Sequence, residues 1–195
     1  MGINTLCHHA GLNAMPITEE QTKQWYVLRD LKRPNALLPA YKMLGNLNIE
    51  VFTPMREQLS RKRETLQRTM QPVLRDLLFA HTTRSALDGI IHNTPTLQYR
   101  FLKGHRQKPM TVPEREMTDF ITAVACSHTT HFLLPDEINP AMYGRRVRII
   151  GGTLDGQEGI LKTVRGSRRR HLLVQLEGIL AADIEITDCQ YTIIE

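Results

Sequence analysis

"VRIIGGTLDGQEGILKTVRGSRRRHLLVQLEGI", Val147 to Ile179, alternates apolar and polar residues, and glycine interrupts it at 151, 152, 156, 159, 166 and 178. Alternation with a period of two marks strands that bury one face. Glycine serves the turns between them, where φ is positive, and the corners where two backbones approach closely. "RRVRII", "EGILKTV", "HLLVQL" and "ADIEI" thus read as four short strands between Tyr143 and the end of the chain. Short strands separated by glycine turns predict a small β-barrel, with "RGSRRR" at the tip of a hairpin.

Upstream the pattern changes. "QWYVLRD", Gln24 to Asp30, is aromatic and β-branched and reads as a strand. In "KRPNALLPAYKMLGNLN", Leu37, Leu38, Tyr41 and Leu44 recur at helical spacing and Gly45 can close the helix. Pro34 suits a first turn, whereas Pro39 restricts an early one. "IEVFTPM", Ile49 to Met55, is the second predicted strand. Arg56 to Met70 holds five basic and two acidic residues with little apolar period, which predicts a long hairpin or solvated loop.

Val73 to His81 reads as a third strand, "RSALDGIIHN" as a short helix or turn, Thr96 to Lys103 as a fourth strand and "HRQKPM" as a basic loop. "TVPEREMTDFITAVAC" is the clearest helix: Pro113 stands at its start, Glu114 and Glu116 suit the N-terminal dipole, and Met117, Phe120, Ile121 and Val124 form one face. This order predicts an α+β fold, a four-stranded, mostly antiparallel sheet backed by helices. "SHTTHFLLPDEINPAM" has two prolines and no sustained period and reads as a linker. The expected division is a leader over 1–22, a first domain over 23–127, a linker over 128–141 and a second domain over 142–195.

Length and composition bound the function. The chain has 195 residues, 41% of them hydrophobic, enough for one ordinary domain or two small ones. A net charge of +5 permits a polyanionic partner without demanding one. Cys7, Cys126 and Cys189 are odd in number and far apart, which argues against a disulfide framework or a CxxC metal knuckle. No run approaches the length of a membrane span, and the first residues lack the charged start and apolar core of a secretory signal. Gly2 fails as a myristoylation site because Leu6 stands where Ser or Thr is required. A cytoplasmic location is expected.

Signatures of catalysis are missing from the sequence: GxSxG, a Walker loop, HExxH and paired carboxylates. "GGTLDGQEG" runs into a strand, so no helix dipole would hold a phosphate there. Cys7 with His8 and His9, and His128 with His131, lack further ligands at metal spacing. The chain is expected not to be an enzyme and to hold neither cofactor nor metal.

"YGRRVRIIGGTLDGQEGI" resembles a KOW motif, with Gly152 in the turn and Gly156 and Gly159 leading into the next strand. "WYVLRD", "IEVFTPM" and "QPVLRDLLF" resemble, in order, the strands of the NGN domain of NusG. The resemblance covers residues 24–195 and implies an NGN domain followed by a KOW, SH3-like barrel. "IEVFTPMRE", the basic hairpin and above all "KPMTVPEREM" are similar to the UpxY-type specialised NusG paralogues. That group consists of transcription antiterminators of surface-polysaccharide operons.

The resemblance further implies docking on the clamp helices of the largest RNA polymerase subunit, through Leu74, Leu77 and Phe79, with Phe101 bordering the same depression. Arg61, Lys62, Arg63 and Arg68 of the basic hairpin, and Arg84 after "HTT", are implied contacts to polymerase, to non-template DNA or to nascent RNA. The barrel implies a ribosomal protein or a termination factor as partner. The chain departs from the family at Arg75-Asp76-Leu77, where relatives usually carry Pro-Gly-Tyr or Pro-Asn-Tyr. Residues 141–195 hold eight basic and seven acidic residues, so Arg168 to Arg170 are a local cluster. Read alone, that cluster and the glycine-rich strands also suit an RNA-binding or ribosome-associated KOW protein.

Overall fold

The computed structural model describes residues 21–32, 36–62, 65–102, 104–127, 130–138, 144–163, 169–186 and 189–194. The expected leader lies almost wholly outside them. The N-terminal sheet is built around β1 (Gln24–Asp30), flanked by β5 (Leu78–Thr82) and β6 (Leu97–Tyr99). β2 (Glu50–Phe52) pairs with β5, and β9 (Thr111–Val112) pairs with the start of β1. All these ladders are antiparallel, with Val27 opposite Phe79 and Leu28 opposite Leu78.

Four successive β1 residues, Trp25 to Leu28, are buried because both faces of the sheet are covered. Tyr26, Leu28, Leu78 and Ala80 pack with Ala40 and Leu44 of α1 (Ala40–Asn46) and Leu87 of α2 (Arg84–His92). Trp25, Val27 and Phe79 pack with Met117 and Phe120 of α3 (Glu114–Ala125). Alternate residues of one strand therefore serve two separate layers.

Several elements differ from their expected bounds. Leu37 and Leu38 are exposed and precede α1, whose N-cap is Pro39. Proline lacks the N–H a helix interior needs, and the Asp30 carboxylate supplies the start by accepting from the Ala40 N–H at 2.7 Å. Gly45 lies inside α1, and Asn48 takes the left-handed turn conformation after it, φ 58°. The third strand begins at Leu78 rather than Val73, since residues 73–77 turn, with the Val73 N–H bonded to Pro54 O and the Leu77 N–H to Leu74 O.

The fourth strand is split. β6 stays on β1, while β7 (Phe101–Leu102) pairs with β8 (His105–Pro109), so all but the last residue of the expected basic loop is strand. Arg100 is the joint: its N–H donates to Val27 O at 2.9 Å and its carbonyl accepts from the Met110 N–H at 2.7 Å. The basic segment after β2 is a hairpin of β3 (Met55–Lys62) and β4 (Thr65–Pro72), a two-stranded sheet of its own.

The C-terminal sheet runs in the order β10-β14-β13-β12-β11-β15. Its strands are β10 (Thr130–Leu133), β11 (Arg146–Ile150), β12 (Glu158–Thr163), β13 (Arg170–Leu176), β14 (Leu180–Ile186) and β15 (Gln190–Ile193). Among the described residues no ladder joins β10 to β15, so hydrogen bonding gives an antiparallel six-stranded sheet where a barrel was expected. Residues 130–133, expected in a linker, form β10 against β14, with Phe132 opposite Ala182.

α3 belongs to both sheets. Phe120 meets Phe52 edge-on at 6.1 Å and Phe132 at 6.5 Å, and one apolar cluster runs from Trp25 and Phe79 through Phe120 to Leu172 and Ile184.

Candidate partner-binding surface

The turn that departs from the expected strand builds a charged corner. The Asp76 carboxylate accepts from Arg100 Nη2 at 3.1 Å and lies 3.7 Å from Arg29 Nη2. Arg29 comes from β1 and Arg100 from the β6–β7 joint, so one acid holds two cations from neighbouring strands. Beside them lies an open groove of about 730 Å³, lined by Arg29, Tyr99, Arg100, Phe101 and Met110 among others. Phe101 is 45% exposed and meets the Tyr99 ring edge-on at 6.2 Å.

Tyr99 links the groove to α2. Its hydroxyl donates to Asp88 Oδ1 at 2.7 Å, and Asp88 in turn lies 3.6 Å from Arg84 Nε. Burial first, then the Asp88 carboxylate beside it, pushes the tyrosine hydroxyl well above its ordinary pKa, so it stays a donor. Cations and partly exposed aromatic rings recognise acidic or planar groups. Among the described residues no cluster of His, Cys, Asp and Glu could hold a metal ion.

The expected docking residues separate. Leu77 and Phe79 are buried at 1% and 0%, inside the core shared with α3, and have no surface to present to a partner. That corrects the expectation for this pair: the face they share is the one α3 covers. Leu74 is partly buried against the same core, and Phe101 alone of the four is exposed.

Among the basic candidates, Arg61 and Lys62 lie in β3, Arg68 lies in β4, and Arg63 falls outside the described residues. Arg68 pairs with Glu57 across the hairpin at 3.4 Å. Arg84 opens α2, capped by Thr83, whose hydroxyl accepts from the Ala86 N–H. His81 stacks on Trp25 at 4.9 Å and bridges Glu50 and Glu114, at 2.9 and 3.1 Å. "HTT" therefore has structural duties, tying β2, β5 and α3 together.

In the C-terminal sheet, Gly152 and Gly156 take positive φ in the β11–β12 connection, at 73° and 80°. Gly159 has another reason: a Cβ there would stand 2.7 Å from Leu173 O. Arg168 lies outside the described residues, Arg169 pairs with Glu185 at 3.2 Å, and Arg170 lies over the Tyr191 ring at 5.4 Å. Asp183, buried, joins Lys162 at 2.7 Å and His171 at 2.9 Å across three strands.

Sequence reasoning missed Arg29, Arg100 and Tyr99, and marked Asp76 only within the departure at 75–77. They are scattered over three separate stretches of the sequence, and only the turn at 73–77 and the break at Arg100 bring them together. The one available signal was the charged pair at 75–76, which has no place in a buried strand.

The family model described as "Transcription termination factor nusG" matches residues 23–121, the sheet that carries this groove. No curated protein matches the chain. A solved structure described as "Domain interaction in Thermotoga maritima NusG" is similar to it at 16% identity, covering 90% of this chain and 99% of its own, with a TM-score of 0.46.

Proposed function

Given that this chain belongs to the NusG family of transcription factors, we propose that it is a specialised antiterminator that rides on RNA polymerase and carries it through operons such as surface-polysaccharide loci. The family match over the groove-bearing sheet is the observation that supports a transcription factor, and the likeness of "KPMTVPEREM" to the UpxY-type paralogues is what suggests the specialisation. In it, residues 23–127 act as an NGN domain and the C-terminal strands as a KOW domain. The protein acts by binding rather than catalysis, in the cytoplasm, without cofactor. No described helix is long and apolar enough to cross a membrane.

The polymerase-facing patch centres on Phe101, Arg29 and Arg100, with Leu74 near the turn; Leu77 and Phe79 support it from within. Asp76 orients its two arginines, and a partner carboxylate competes with it for them. The basic hairpin meets polymerase, non-template DNA or nascent RNA meets Arg84, and a ribosomal protein or termination factor meets the C-terminal sheet.

Tagged full-length chain should co-purify with core RNA polymerase, and Phe101→Ala with Arg100→Gln should weaken that binding at least tenfold while the unfolding midpoint stays put. Salt-sensitive RNA binding without polymerase capture would favour the rival reading, an RNA-binding or ribosome-associated KOW protein.

A further inference from the structure

The β3–β4 hairpin has two unlike faces. Side chains directly opposite each other in an antiparallel pair lie on one face, and alternate residues share it. Leu59 stands opposite Arg68, and its diagonal neighbours on the partner strand are Leu66 and Met70, at about 7–8 Å in such ladders. The three side chains therefore share one face, together with the Arg68–Glu57 pair, and they are 63%, 74% and 60% exposed. Arg56, Gln58, Gln67, Thr69 and Gln71 occupy the other face and are all polar.

Exposed leucine and methionine gathered on one face mark an interaction surface. An isolated two-stranded ribbon is also marginal in water, and a partner beneath it supplies the missing layer. We propose that the Leu59–Leu66–Met70 face docks on an acidic protein surface of RNA polymerase bearing exposed apolar side chains. This rests on the polymerase-binding function proposed above and adds a second contact to it.

A protein fits better than nucleic acid for three reasons. Residues 55–72 contain no aromatic ring, so there is nothing on which bases could stack. Arg68, the described cation of the apolar face, is already paired with Glu57 at 3.4 Å. Aliphatic side chains between phosphate contacts would remain in water, whereas on a protein they are buried. Arg61 and Arg68 against Glu57 at the register positions of this face, within a segment of five basic and two acidic residues, set the sign of the complementary surface.

The test compares full-length wild type with the combined variant Leu59→Ser, Leu66→Ser, Met70→Ser, and with a polar-face variant, Gln58→Ser, Thr69→Ser. Affinity for core RNA polymerase and for duplex DNA is measured at two salt concentrations. Because the replaced residues are exposed, the unfolding midpoint should not move; the single change Leu59→Arg gives an independent check. We expect the apolar-face variant to lose at least tenfold in polymerase affinity with its salt slope and DNA affinity unchanged, and the polar-face variant to stay within twofold. Equal polymerase affinity in wild type and the apolar-face variant would overturn this inference alone. So would an equal loss of DNA affinity, or a wild-type dimer that the variant converts to monomer. Failure of wild type itself to bind polymerase would overturn the underlying reading as well.

Discussion

Gly159 and Asp183 show how closely the C-terminal strands are matched to their residues. With a Cβ at Gly159 placed 2.7 Å from backbone and 2.9 Å from Leu172 Cδ1, Gly159→Ala should destabilise the protein by about 1–3 kcal/mol in urea unfolding. Gly89 meets nothing within 4 Å inside α2, so Gly89→Ala should instead stabilise by about 0.4–1 kcal/mol. Opposite signs at two glycines test the packing directly. Asp183→Ala leaves Lys162 and His171 unpaired in a mostly buried site and should cost about 3–5 kcal/mol.

Glu158 carries a pH dependence. The hydrogen bond from Arg148 first, then Arg115 and Arg146 nearby, holds its carboxyl below the usual carboxylate range. A depressed folded value means that stability is present above the ordinary pKa and is lost as pH falls through the depressed one. Glu158→Gln should therefore flatten the acid limb of the stability profile and leave the neutral region's slope unchanged. An acid limb identical to wild type would contradict the assignment.

Among the elements, legibility followed pattern length. β1 and α3 were readable because seven and twelve residues respectively repeat one physical signal. The basic segment reads equally as a hairpin or a solvated loop, since its apolar residues do not sit in a core and so do not announce a face. β10 was hidden because "THFL" is four residues long, lies near prolines and is recruited by β14 rather than by its own propensity. For the same reason, a fragment spanning 142–195 should have a lower urea midpoint than one spanning 128–195; equal midpoints would mean that β10 adds no stability. Leu77 and Phe79 lie in the core and not on a docking face: alternation shows which residues share a face, not which face a helix will cover. Only α3, placed on that side by Met117 and Phe120, decides it.

For the whole molecule, α3 is the common member of two sheets. Truncating Phe120, fully buried between Phe52 and Phe132, should cost about 3–5 kcal/mol and lower the unfolding of both sheets together. Two calorimetric transitions, only one of them displaced in Phe120→Ala, would show that the shared cluster does not couple them. The arrangement leaves the Phe101 groove and the β3–β4 hairpin outside the core, and these are the two surfaces proposed to meet polymerase.

The most direct test of that account is a readthrough assay on reconstituted elongation complexes stalled at a pause or terminator. Added full-length chain should raise the fraction of polymerase that passes the site, and the Phe101→Ala, Arg100→Gln variant should do so only at concentrations at least tenfold higher. Readthrough unchanged by saturating wild-type chain, or raised equally by the groove variant, would contradict it.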